Sequence, residues 1–111
     1  MQKPLVPTIT LTVTSSEGVL AQADIIVREF FQPHTRDDTG AFRWSFGGSV
    51  PMPILFGLLW ERIPNRVFVD IQATDGATVW QDGDSIPLEE FELPTLSTAY
   101  DRNVNIVINV V

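Results

Sequence analysis

The chain contains no cysteine and a single histidine, His34. Without cysteine there is no disulfide, no thiolate-bound metal and no cysteine nucleophile. His34 lies in a polar Pro-His-Thr setting typical of a solvated loop. A catalytic triad would also need a hydroxyl and a carboxylate, and no pattern in the sequence places them beside it. We therefore predict a protein that is not an enzyme, with no catalytic residue, no metal site and no cofactor.

Positive charge is also scarce, because Lys3 is the only lysine. Seven lysine and arginine residues stand against fourteen aspartate and glutamate residues, which gives a formal net charge of −7. Binding to nucleic-acid phosphates needs a basic stripe, and attraction to anionic lipid needs the same sign of charge. We expect neither nucleic acid nor an anionic membrane surface as a partner.

Long hydrophobic runs are missing too, since none reaches the length of about 18 residues that a membrane-spanning helix needs. The first residues, Met1 to Pro7, lack the apolar core of a signal peptide. With 111 residues, 44% of them hydrophobic and 19% charged, the chain fits one globular domain over residues 1–111. We expect a cytoplasmic protein or a part of a soluble assembly.

What the chain does contain is a series of short alternating segments. Residues 8–14 place Ile9, Leu11 and Val13 on one face of a strand and threonines on the other. Strands are predicted in these segments: 8–14, 19–31, 42–46, 67–73, 77–81, 86–93 and 103–111. The pattern predicts a mainly β fold, an antiparallel β-sandwich of about seven strands.

Two motifs occur in the first half of the chain. Gly18 to Val27 is a turn glycine followed by a leucine, alanines and a strand-like run. Asp37 to Phe42 is an acidic turn that ends in glycine, one further residue and an aromatic. Both resemble the transthyretin-like, or carboxypeptidase-regulatory-like, β-sandwich family. The resemblance covers the part from Thr8 to Phe46 and implies a sandwich fold but no function. The hydrolase branch of that family uses several histidines and a Tyr-Arg-Gly-Ser tail, which this chain lacks.

The longest apolar run, Val50 to Pro64, lies between the two β halves. Its proline-bounded pattern predicts one short helix in the central crossover. The apolar stripe at helical spacing consists of Met52, Leu55, Phe56, Leu59 and Ile63. Ile54 and Leu58 fall outside this stripe, so the helix is apolar all round and needs contacts on both sides.

Three interpretations of this helix stay open: full burial within the monomer, a protein-docking surface and contact with a membrane. The docking interpretation gives a set of candidate interface residues: Ile54, Leu55, Phe56, Leu58, Leu59 and Trp60.

Three tryptophans, Trp44, Trp60 and Trp80, offer an alternative site. Exposed aromatic rings can stack on sugars, whereas buried ones anchor the core of a small domain. A carbohydrate- or small-ligand-binding β-sandwich is therefore the alternative function, and tryptophan fluorescence during titration with glycans distinguishes it from protein binding.

Acidic residues form two turn-like groups, Asp37-Asp38 and Asp82-Gly83-Asp84. Their spacing does not match a calcium-binding EF-hand loop, and aspartate often hydrogen-bonds its own backbone in turns. A carboxylate-dependent hydrolase is the third hypothesis, with Asp82 and Asp84 as the first residues to replace, although the sequence selects no pair of acids.

Uncharged polar residues mark one face of the first and of the last predicted strand: Thr8, Thr10, Thr12 and Thr14, and Asn103, Asn105 and Asn109. If these strands are neighbours, their outer faces form a flat surface without the lysines that discourage association of sheets. The leading prediction is a non-enzymatic protein-binding or structural module of an assembly, whose partner is another protein or a second copy of the chain.

Overall fold

The computed structural model describes residues 2–31, 49–89 and 92–111. The strand predicted over 42–46, which includes Trp44, lies outside the described residues. His34 and the motif from Asp37 to Phe42 lie outside them as well.

A long strand, β1 (Gln2–Val13), forms the centre of the main sheet. β3 (Arg66–Thr74) runs antiparallel along one side of β1, and the register shifts between the pairs Thr12–Phe68 and Val13–Arg66. β4 (Val79–Gln81) pairs antiparallel with the end of β3. β3 and β4 therefore form a hairpin.

The Asp75-Gly76 turn joins these two strands. The Asp75 carboxylate accepts hydrogen bonds from the backbone N–H groups of Ala77 and Thr78, both at 2.9 Å. These bonds, led by the one from Thr78, hold the pKa of Asp75 below its usual value. Gly76 has a φ of 98°, which an L side chain rarely adopts.

Two short strands share the other side of β1. β6 (Leu93–Leu96) pairs with the beginning of β1 and β7 (Ile106–Val110) with its end, and both pairings are parallel. A separate two-stranded sheet consists of β2 (Ser49–Pro51) and β5 (Ser85–Pro87). The segment predicted as one strand over 86–93 is thus divided between β5 and β6.

The described residues also form three helices: α1 (Val19–Phe30), α2 (Met52–Arg62) and the single turn α3 (Arg102–Asn105). The strand predicted over 19–31 is wrong, because this segment forms α1. Its buried side chains follow helical spacing: Val19, Ala23, Ile26, Val27 and Phe30. The alternation of Ala23, Ile25 and Val27 suggests a strand, but Ile25 is 50% exposed. The last predicted strand begins later than expected, since residues 103–105 belong to α3.

The helix predicted in the central crossover is confirmed as α2. It begins after Pro51, carries Pro53 in its first turn and ends before Pro64. Met52, Leu55 and Leu59 are fully buried along its inner side.

The two long helices lie on the same side of the main sheet. α1 packs against β7 and α2, and α2 packs against β3. Alternate side chains of β1, such as Ile9 and Leu11, are fully buried beneath this helical layer together with Ile71 of β3.

The mainly β class is confirmed, whereas an antiparallel sandwich is not. The described residues form a mixed sheet, and helices rather than a second large sheet cover its buried face. Side chains alternate between buried and exposed along a strand whether helices or a second sheet cover it. The sequence pattern therefore did not distinguish a helix-covered sheet from a sandwich.

Candidate interaction surfaces

The face of the main sheet that points away from α1 and α2 is here named the outer face. Paired residues on this face form rows that run across the strands. Two rows cross β3, β1 and β7: Phe68-Thr12-Asn109 and Asp70-Thr10-Val107. The next row crosses β4, β3 and β1: Gln81-Gln72-Thr8. Asp70 is the one charged side chain in these rows. Phe68 is 57% exposed and Val107 is 43% exposed. The first and last strands, β1 and β7, are neighbours, as the prediction of a shared uncharged surface required.

The asparagines of the last predicted strand occupy different positions from those expected. Asn109 lies on the outer face beside Thr12. Asn105 belongs to α3, and its amide donates a 3.4 Å hydrogen bond to the Thr8 hydroxyl. Phe68 also lies on the outer face. The sequence predicted a strand over its segment but did not identify it as part of an interaction surface.

β7 forms an edge of the main sheet. It pairs with β1 on one side, and within the described part of the chain no strand pairs with it on the other. Val107 and Val110, both more than two-fifths exposed, lie along it. The outer face and this free edge together are named the open side of the sheet.

The candidate interface on α2 is divided between the core and the surface. Leu55 and Leu59 have no exposed area, so they are corrected from interface to core residues. Ile54 is 45% and Trp60 is 42% exposed, while Phe56 and Leu58 are half-buried. Helical geometry explains the division, because the face that packs on the sheet cannot also meet a partner.

The ring of Trp60 lies between two neighbours on this helix surface. It stacks on Phe56 with ring centres 6.2 Å apart, and the Arg66 guanidinium lies 4.9 Å from its centre. Such stacking fixes the indole at the surface without burying it.

Trp60 and Trp80 do not share one platform. Trp60 lies beside Arg66 at the start of β3, whereas Trp80 pairs with Ala73 near its end. The strand between Arg66 and Ala73 spans about 23 Å at a rise of about 3.3 Å per residue. Trp80 is half-buried with the Lys3 ammonium 5.6 Å from its ring centre.

A cluster of polar contacts around the buried Asp24 connects α1 to the segment before β7. Asp24, 6% exposed, accepts a 2.8 Å hydrogen bond from the Tyr100 hydroxyl. Arg28 donates to the same carboxylate at 3.0 Å, and Arg102 lies 3.6 Å from it. Burial, followed by the bond to Asp24, raises the pKa of Tyr100 above its usual range. Sequence analysis did not identify Tyr100 as a partner of Asp24, because the two residues are 76 positions apart in the chain.

The acidic residues of the hydrolase hypothesis occupy a turn. Asp84 accepts a 2.8 Å hydrogen bond from the backbone N–H of Gln81, as aspartate does in tight bends. Asp82 lies within the same turn. Among the described residues, no group of three or more histidine or acidic side chains is arranged to hold a metal ion.

A shallow depression of about 400 Å³ lies beside β6. Its walls carry hydroxyl and apolar groups but no charge, and they consist of Pro4, Thr95, Leu96, Ser97 and Thr98.

No family model matches the chain, and no curated protein matches it. The transthyretin-like resemblance therefore stays a prediction. Its first motif, Gly18 to Val27, forms the start of α1 and not the expected strand. In the described parts of the chain, no helix combines the length and the apolar character needed to span a bilayer.

Proposed function

We propose that the chain is a non-enzymatic assembly module that associates with further copies of itself through the open side of its sheet. The observation that supports this most is the low charge of the outer face, where Asp70 is the one charged side chain in rows that cross four strands. Sheets that stay monomeric commonly carry lysines or other charges on exposed strands.

Exposed apolar side chains on this side add to the argument. Phe68 and Val107 are 57% and 43% exposed. They lie on β3 and β7, which flank β1 and are therefore about 10 Å apart. Association would remove this apolar area from water, which is favourable.

Charge insertion tests the proposal. Thr10→Lys combined with Asn109→Lys places ammonium groups on the outer face. We expect the concentration at which the solution mass rises to increase roughly tenfold, equal to about 1.4 kcal/mol of association free energy. Multi-angle light scattering measures this mass.

A matched variant controls for net charge. Ala21→Lys with Ala77→Lys also changes the formal net charge from −7 to −5, but at exposed positions on α1 and in the β3–β4 loop. It should associate like the unmodified chain. Equal behaviour of the two double variants would contradict the proposal.

The exposed strip of α2 offers the competing contact. Ile54 lies there, on the opposite side of the sheet, and is 45% exposed. Ile54→Lys should therefore leave the solution mass unchanged, and a loss of association would place the contact on α2 instead.

A further inference from the structure

The backbone direction along β7 shows which of its groups lack a partner among the described residues. Val13 is opposite Val110 in the parallel register, and the Val13 carbonyl accepts a 3.0 Å hydrogen bond from the Val111 N–H. Peptide groups alternate in direction along a strand. The N–H groups of Val107 and Asn109 therefore point to β1, and those of Ile108 and Val110 point away from the sheet.

The outward groups form a short ladder at the free edge. It contains the N–H groups of Ile108 and Val110 and the carbonyls of Ile106, Ile108 and Val110. The Ile106 N–H is already bonded to the Arg102 carbonyl. Alternating donors and acceptors at strand spacing are satisfied by another extended strand.

We infer that β7 pairs antiparallel with β7 of a second copy, about a two-fold axis through Ile108, and joins the two main sheets into one. This inference rests on the proposed function and names its contact. The Ile108 N–H of each copy donates to the Ile108 carbonyl of the other. The Val110 N–H of each copy donates to the Ile106 carbonyl of the other.

The side chains of β7 suit this register. Ile106, Ile108 and Val110 lie on the helix-covered side, so the apolar row continues into the second copy. On the outer face Val107 meets Asn109, and no like charges are opposed.

Charge makes this edge a favourable place for two copies of the chain to meet. Each copy carries a net charge of −7, so most symmetric contacts would bring like charges together. Residues 103–111 contain no charged side chain, and a contact there avoids the repulsion. A two-fold contact is also the commonest way in which identical chains associate.

The length of β7 limits the strength of the contact. Five residues of strand bury less than the about 1,600 Å² of a standard stable interface. The dimer should therefore be reversible and dependent on concentration, with the outer face available for further contacts.

Amide hydrogen exchange of the whole chain, followed residue by residue by NMR, tests this inference. The Ile108 and Val110 amides should exchange about tenfold or more slowly at high than at low protein concentration. The Val107 and Asn109 amides, bonded to β1, serve as internal controls and should be protected at both concentrations.

A pair of variants tests the role of the Val110 N–H group, which points away from the sheet. Val110→Pro removes it without removing a bond to β1, as edge positions allow. Val110→Thr keeps the N–H and the branched shape. Protection of Ile108 should lose its concentration dependence in Val110→Pro and retain it in Val110→Thr. Unchanged dependence in Val110→Pro would overturn the inference.

The remaining outcomes separate this inference from the proposed function. If the mass rises while Ile108 and Val110 exchange fast at every concentration, the edge inference is wrong and association through the outer face stands. If the unmodified chain stays monomeric throughout, both are overturned. The protection of Val107 and Asn109 reports whether Val110→Pro is folded.

Discussion

Tyr100 makes a well-defined polar contact in the core, a 2.8 Å hydrogen bond to Asp24. Burial and this bond favour the neutral phenol, so the pKa of Tyr100 is raised in the folded chain. An unfolded tyrosine titrates near pH 10, at about its ordinary pKa. The stabilisation is therefore complete below about pH 10 and is lost as pH rises through the folded pKa.

Tyrosinate absorbance measures this directly, because Tyr100 is the only tyrosine in the chain. We expect the ionisation to occur above about pH 10 and to coincide with unfolding. Tyr100→Phe is the matched control. It should cost about 1–3 kcal/mol at neutral pH, because Asp24 loses a donor, and should remove the tyrosinate signal. Ionisation near pH 10 in the intact fold would contradict this description of the cluster.

Among the elements, α1 and α2 show what the sequence could predict. α2 is bounded by Pro51 and Pro64, which fix its ends whatever packs against it. α1 has no side-chain cap, and its β-branched Ile25-Ile26-Val27 run favours a strand locally. Burial of one helical stripe and the contact of Asp24 with Tyr100 override that preference. Neither is visible in a short window of sequence.

Gly57 gives a prediction for α2. It lies within the helix, and a Cβ added there would meet no atom within 4 Å. Gly57→Ala should therefore increase the free energy of unfolding by about 0.5–1 kcal/mol. Denaturant unfolding measures the change.

Gly18→Ala is the control for that prediction. Gly18 precedes α1 with a φ of 71°, so alanine there is strained although the space is equally open. It should destabilise the fold. Destabilisation by Gly57→Ala, or stabilisation by both variants, would show that the backbone conformations assigned to these glycines are wrong.

At the scale of the whole molecule, the side-chain pattern of the sequence predicted part of the outer face but not the topology of the sheet. The threonine face of β1 could be predicted from alternation alone, and β7 does lie beside it. The parallel direction of β6 and β7 could not be predicted, because alternation does not depend on strand direction. The free edge of β7 is a consequence of that topology, so it could not be predicted from the sequence either.

The solution mass of the unmodified chain against concentration tests most directly whether the chain associates with further copies of itself. Sedimentation should give the 12.4 kDa of one chain in dilute solution, and the mass should rise reversibly towards twice that value as concentration increases. A mass that remains at 12.4 kDa over the whole range would contradict it.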